Sequence, residues 1–111
     1  MAGFKVTIRR EGRTERFRRD ALEPALDLLE FELRALSGSS RRQPASGIAR
    51  TYEPGELVAV RGEVAGRGVR AGVDVRGDGT TEAFTGRVRR SIVTPQPGES
   101  AYEALRRVLM A

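Results

Sequence analysis

The chain has 111 residues and a formal net charge of +5, and it contains neither cysteine nor histidine. This length suits one domain with a modest core. The missing residue types exclude disulfides, thiolate zinc sites, cysteine nucleophiles and the commonest base near neutral pH. A carboxylate-only hydrolase or a magnesium site is the chemistry left open. We expect a non-catalytic protein without a metal or other cofactor.

The sequence also lacks the features of a membrane or secreted protein. No segment approaches the roughly 18 consecutive apolar residues of a membrane helix. The start, MAGFKVTIRREG, has no basic stretch followed by an apolar one. We therefore expect a cytoplasmic protein with no membrane partner.

Residues 4–18 predict a β-hairpin. The stretch FKVTIRR alternates apolar and polar residues at the period of a strand. Glu11-Gly12 suits a two-residue turn between two strands. With that turn, Val6 would lie opposite Phe17.

The clearest helix signal spans residues 21–36. Its main apolar face consists of leucines spaced four, three, four and three residues apart, so that they stack on one side. These leucines are Leu22, Leu26, Leu29, Leu33 and Leu36. Asp20 and Glu23 would form a capping box, and Gly38 would end the helix.

The same helix carries a second apolar arc beside the leucines. This arc consists of Ala25, Leu28, Phe31 and Ala35. In one interpretation, the C-terminal helix covers the arc. In the other, Leu28, Phe31 and Ala35 form a homo-oligomer interface.

Residues 37–55, SGSSRRQPASGIARTYEPG, are rich in Ser, Gly, Pro and Arg. This segment is long for a connection inside a compact domain. We expect a mobile linker within a single domain that spans residues 1–111. Arg41, Arg42 and Arg50 in the linker are candidates for phosphate contacts.

A three-stranded meander follows the linker. Segments 56–65 and 68–76 alternate apolar and polar residues, and GDG at 77–79 turns the chain into a third strand over 82–93. We expect Phe84, with Val88 and Ile92, to face the core. Gly86 would mark a bulge or bend in that strand.

The C-terminal residues predict a short helix. Ser100 and Glu103 form a capping box ahead of AYEALRRVLMA. The predicted order of elements is therefore ββαβββα. We expect an α+β fold, in which a five-stranded, mainly antiparallel sheet has two helices packed on one face.

Alternation along the predicted strands gathers basic residues on the sheet face that points away from the helices. Besides Lys5, this outward set contains Arg9, Arg16, Arg18, Arg61, Arg70, Arg76, Arg87 and Arg89. Glu63 and Asp74 are the acids assigned to the same face, which gives a net charge of +7. The helix over residues 21–36 has four acids and one base, so the other side is expected to be acidic.

A basic, extended surface attracts polyanions, chiefly through phosphate contacts and counterion release. No aromatic residue is expected to point outward from this sheet, so base stacking is not predicted. RNA or DNA would then be held by its backbone, with little sequence readout. Two other interpretations are that the arginines simply cover the solvent side of the sheet and that they bind an acidic protein.

The order α-β-β-β-α over residues 21–110 is similar to that of the double-stranded RNA-binding domain. With one preceding strand it is also similar to that of ribosome-hibernation factors. This resemblance of element order slightly favours RNA, and both RNA and DNA stay open as the polyanion. The lysine-rich start of the last helix in the first family is absent here, where GESAYEALRRVL has acids instead.

We therefore predict a binding module that docks RNA or DNA, without sequence specificity, on its arginine-rich sheet face and the 41–50 loop. The alternative is a structural or assembly subunit, for example of a phage particle or of a homodimer. In that alternative the helix over residues 21–36 forms the subunit interface.

Overall fold

The computed structural model describes residues 3–40 and 58–111. The described chain forms six strands and two helices. These are β1 (Phe4–Arg10), β2 (Arg13–Arg19), α1 (Leu22–Ser40), β3 (Val58–Gly66), β4 (Val69–Arg76), β5 (Thr81–Thr85), β6 (Ser91–Val93) and α2 (Ala101–Leu109). Neither helix of the described residues is long and apolar enough to cross a membrane.

All six strands belong to one antiparallel sheet, in the order β2-β1-β3-β4-β5-β6. Helix α1 lies mainly against β1 and β3, and α2 lies mainly against β4 and β5. Both helices contribute to the same buried cluster on one face of the sheet. The predicted α+β fold is therefore confirmed, with six strands in place of five.

The N-terminal hairpin has the predicted turn and register. Arg10 pairs with Arg13, and Val6 pairs with Phe17. Gly12, at the turn, has a φ of 71°, a conformation that glycine adopts without steric cost. Local turn chemistry is therefore enough to fix how β1 and β2 align.

The leucine face of α1 builds the core as predicted. Leu26, Leu29 and Leu33 are buried against the sheet, and the two outer leucines are partly buried. A Cβ atom on Gly62 would lie 2.5 Å from a Leu29 methyl carbon and 2.9 Å from a Leu33 methyl carbon. The missing side chain at position 62 therefore lets α1 approach β3 closely.

The ends of α1 differ from the prediction. The helix begins at Leu22, and the carbonyl of Ala21 accepts a hydrogen bond from the amide of Ala25. The first helical hydrogen bond is thus accepted by Ala21, one residue after the Asp20 that was expected to cap the helix in a box with Glu23. The helix also continues past Gly38 to Ser40, so the first four residues of the predicted linker are helical, and residues 41–57 lie outside the described chain.

Helix α2 lies beside the polar side of α1 and leaves part of the second apolar arc uncovered. The Arg106 guanidinium donates to Asp27 at 2.8 Å, and the Arg34 guanidinium lies 4.8 Å from the centroid of the Tyr102 ring. Phe31 remains 69% exposed. Ala35 is also exposed, whereas Ala25 is buried and Leu28 packs in part against the core.

The predicted strand over 82–93 is two strands, β5 and β6, joined by a tight loop at residues 86–90. Gly86 has a φ of 95°, and a Cβ there would collide with the Arg89 carbonyl oxygen. The residues that face the core also differ from the prediction. Ala83 and Val93 are buried on the helix side.

The expected inward positions of Phe84, Val88 and Ile92 were therefore wrong. Phe84 and Ile92 pair with each other on the opposite face, and Val88 lies in the loop with 91% of its surface exposed. The error arose because the apolar Phe84 was assigned to the core, which set the wrong phase for the whole strand, whereas the small Ala83 is the inward residue.

The start of α2 follows the predicted capping box. The Ser100 hydroxyl accepts from the Glu103 amide at 3.0 Å, and the Ser100 amide donates to the Glu103 carboxylate at 2.8 Å. Two amide hydrogens that a helix start leaves unpaired are thereby satisfied.

Candidate nucleic-acid interface

The sheet face opposite the helices, here called the open face, consists of three cross-strand rows. The first row, called the basic row, is Arg18, Lys5, Ala65 and Arg70. The second row is Arg16, Thr7, Glu63, Gly72, Phe84 and Ile92. The third row is Thr14, Arg9, Arg61, Asp74 and Glu82.

Ion pairs occupy the part of the third row that lies on β3, β4 and β5. The Arg61 guanidinium donates to both carboxylate oxygens of Asp74, at 2.6 and 2.9 Å. The hydrogen bond that Arg61 donates to Asp74 raises the pKa of Arg61 despite the partial burial of the guanidinium. Arg76, at the end of β4, donates to Glu82 at 2.7 Å. These two arginines are already matched by carboxylates.

Glu63, in the second row, binds two further arginines. Arg9 donates to one of its oxygens at 2.8 Å, and Arg90 donates to the other at 3.3 Å. Arg90 comes from the 86–90 loop and folds back over the sheet. Its guanidinium therefore lies on the open face, over the Phe84 ring.

Phe84 lies on the open face and is nevertheless buried, with 3% of its surface exposed. Its ring lies over Gly72, where a Cβ would be 2.6 Å from the ring. The Arg90 guanidinium carbon is 4.2 Å from the ring centroid, and that of Arg61 is 5.8 Å away. The ring is therefore covered by cations and cannot stack on a nucleic-acid base.

The basic row differs from the rest of the open face because it contains no acid. Lys5, Arg18 and Arg70 are exposed, and so is Arg16, which lies two residues before Arg18 on the same side of β2. None of these four side chains forms an ion pair with another described residue. Neighbouring strands are about 4.8 Å apart, so the row spans about 14 Å from Arg18 to Arg70.

The 86–90 loop continues from the end of the basic row. The Gly86 amide donates to the Arg70 carbonyl oxygen at 2.7 Å. Arg87 and Arg89 were predicted to lie on the outward face of a strand. They are instead exposed in this loop, between β5 and β6. Both residues nevertheless lie on the chain segment that leaves the sheet beside Arg70.

The structure thus divides the predicted phosphate-binding residues into four groups. Arg16, Arg18 and Arg70 lie together with Lys5; Arg9, Arg61 and Arg76 share the open face but are ion-paired; Arg87 and Arg89 are in the loop; Arg41, Arg42 and Arg50 lie outside the described residues. Sequence reasoning missed Arg90 on the open face and Glu82 among its acids. Arg90 has the same parity as Phe84 and Ile92, so the alternation of this strand with its correct phase was the available signal for Arg90.

The acidic side predicted for α1 is partly neutralised. Arg106 of α2 lies 2.8 Å from Asp27 and 3.9 Å from Glu30, and Arg34 donates to Glu30 at 2.7 Å. Within residues 3–40 and 58–111, no group of three or more acidic side chains is placed to hold a metal ion.

Comparison with protein-family models, with curated proteins and with solved structures gives no significant match. The order of elements in this chain also differs from that of the double-stranded RNA-binding domain in two respects. The leading hairpin joins the same sheet, and β6 adds a strand before the last helix. A function for this chain therefore has to be inferred from the open face itself.

Proposed function

We propose that this protein is a non-catalytic module that docks the phosphate backbone of RNA or DNA on its open face. The basic row and Arg16 make the main contacts. The observation that carries the proposal is the concentration of four cations without acidic partners among the described residues, on a face whose other cations are paired. A cytoplasmic location is part of the same proposal.

Because these four cations have no carboxylate partner among the described residues, we expect them to bind phosphate more readily than the ion-paired arginines do. A guanidinium already hydrogen-bonded to a carboxylate, such as Arg61 with Asp74, has to exchange that partner before it can bind a phosphate. An exposed cation with no such partner loses only water and counterions, and the release of counterions from the nucleic acid favours binding. We therefore assign the binding to the basic row instead of the whole arginine set.

The same geometry supports binding without sequence specificity. The one aromatic ring on the open face, Phe84, is covered by Arg61 and Arg90 among the described residues. Arginines suit phosphate because their planar donor groups match two phosphate oxygens. Contacts of this kind position a nucleic acid but do not read its bases.

The proposal is tested by fluorescence anisotropy with a labelled duplex of about 20 base pairs at low salt. Lys5→Glu combined with Arg18→Glu should weaken binding by at least about tenfold, because two phosphate contacts become repulsive. Arg10→Glu combined with Arg13→Glu is the matched control. These two residues pair at the other end of the same hairpin, on the other side of the strands.

The control double variant should retain most of the affinity of the unmodified protein. Equal losses in both double variants would show that only net charge matters, and the basic row would then not be the site. No measurable binding by the unmodified protein would rule out the proposed function altogether.

One observation favours a second candidate function, self-association through α1. Phe31 is 69% exposed, and Ala35, one turn further along, is exposed beside it. A homodimer would bury this pair. Phe31→Glu should then turn a dimer into a monomer in light scattering, whereas a monomer before substitution would exclude this candidate. Leu28→Glu is unsuitable because Leu28 packs against the core.

A further inference from the structure

The structure points to a double helix as the ligand, with the 86–90 loop inserted into its minor groove. We infer this from the shape and position of the loop, and the inference depends on the proposed binding of nucleic acid to the basic row. It adds two statements to that proposal. Duplex is preferred over single strand, and Val88 is a specific determinant of that preference.

The loop is anchored at both ends. At its start, the Gly86 amide is bonded to the Arg70 carbonyl oxygen, and glycine alone fits the backbone conformation there. At its end, the Arg90 guanidinium covers the Phe84 ring and reaches Glu63. The three residues between these anchors therefore project from a fixed base beside the basic row.

The projecting residues combine an apolar tip with cations on both sides. Val88 is 91% exposed and lies between the exposed Arg87 and Arg89. A single exposed valine would be unremarkable elsewhere on a surface. Here it lies at the end of a row that is proposed to follow a phosphate backbone. Proteins that bind the minor groove often combine basic side chains with an apolar side chain inserted against the bases.

The dimensions agree with this arrangement. The loop leaves the sheet about one strand spacing beyond Arg70, so the basic row and the loop together extend about 19 Å. The minor groove of B-DNA is about 6 Å wide, enough for a loop tip but not for a helix. Lys5 and Arg18 would contact one backbone while Arg87 and Arg89 contact the phosphates that border the groove.

Binding of a single strand is disfavoured by the same surface. Proteins that hold single strands usually stack bases on exposed aromatic rings. The one aromatic ring on the described open face is covered by guanidinium groups. An unpaired strand would therefore gain only the phosphate contacts, whereas a duplex would also gain the groove contact of Val88.

The test compares a 20-base-pair DNA duplex, an RNA duplex of the same sequence and the single DNA strand, by anisotropy at one salt concentration. Val88→Ser removes the apolar tip without changing the charge. We expect this variant to bind duplex DNA about five- to tenfold more weakly and to bind the single strand unchanged. The RNA duplex shows whether the wider A-form minor groove is also accepted.

Lys5→Glu with Arg18→Glu separates the inference from the proposed function. This double variant should weaken binding of all three ligands. If it does, while Val88→Ser leaves the ratio of duplex to single-strand affinity unchanged, the groove contact is wrong and backbone docking stands. Equal affinity of the unmodified protein for duplex and single strand would also overturn the inference. If the double variant has no effect, the proposed site itself is wrong.

Discussion

Phe84 lies on the solvent side of the sheet and is protected there by neighbouring side chains. Glycine at position 72 makes room for the ring, and Arg61 and Arg90 cover it. The carboxylates of Asp74 and Glu63 hold these two guanidinium groups in place. The ring therefore acts as the base of an ion-pair cluster instead of a platform for ligands.

Phe84→Ala should lower the free energy of unfolding by about 3 kcal/mol, because it removes a large buried side chain and leaves a cavity under two charged groups. Val88→Ala is the control, since Val88 is almost fully exposed and should change stability by less than about 0.5 kcal/mol. Denaturant unfolding of both variants measures the difference. Similar midpoints for the two variants would mean that Phe84 is not buried as described.

Tyr102 is a buried residue whose hydroxyl has no hydrogen-bond partner among the described residues. Burial is the main reason why the pKa of Tyr102 is raised from its usual value near 10. A group with a raised pKa contributes stability that is complete below its unfolded pKa. That contribution is lost as the pH rises through the folded pKa.

We therefore expect Tyr102→Phe to be neutral or stabilising by up to about 1 kcal/mol at pH 7, because no hydrogen bond is lost. Above about pH 10 the original protein should lose stability more steeply than the variant. Denaturant midpoints measured from pH 7 to pH 11 test this. A variant clearly less stable at pH 7 would indicate that the hydroxyl does have a partner in the folded protein.

At the scale of elements, the start of α2 is fixed by the side chains that come just before and within its first turn. Glu99 is bonded to Arg107 at 2.8 Å, and this hydrogen bond lowers the pKa of the Glu99 carboxyl. Ser100 and Glu103 form the reciprocal cap. These local bonds hold the helix against β4 and β5, where Leu105 is buried.

Ser100→Ala should destabilise the protein by about 1 kcal/mol, because the Glu103 amide loses its acceptor at the helix start. Ser91→Ala is the control, since Ser91 is exposed and its side chain forms no hydrogen bond with another described residue. Thermal or denaturant unfolding gives both values. A loss as large for Ser91 as for Ser100 would contradict the assigned role of the cap.

Elements defined by local signals were predicted well from the sequence. The turn at Glu11-Gly12 and the cap at Ser100 depend on residues within a few positions of each other. The boundaries of α1 were less accurate, since the helix continues beyond Gly38 to Ser40 despite the low helix propensity of glycine. The third meander strand was wrong in phase because the apolar Phe84 was assigned to the core, and alternation alone does not show that the strand is interrupted after Thr85.

At the scale of the whole molecule, the sequence predicted a basic sheet face but not its internal pairing. The observed open face has eight basic residues, counting Arg90, against three acids, a net charge of +5 in place of +7. The pairs Arg9–Glu63 and Arg61–Asp74 join strands whose mutual register was not predicted. Only that register shows which basic side chains have no carboxylate partner among the described residues. The set of candidate phosphate-binding residues is thereby narrowed to the basic row and Arg16.

The salt dependence of nucleic-acid binding tests the central claim most directly. The four cations of the basic row and Arg16 predict that log K falls against log salt with a slope of about −3.6 for duplex DNA, and the contacts inferred for Arg87 and Arg89 would add about −1.8 to it. Lys5→Gln with Arg18→Gln should make the measured slope shallower by about 1.8, whereas Arg10→Gln with Arg13→Gln should leave it unchanged. A slope that both double variants change equally, or that neither changes, would contradict docking on the basic row.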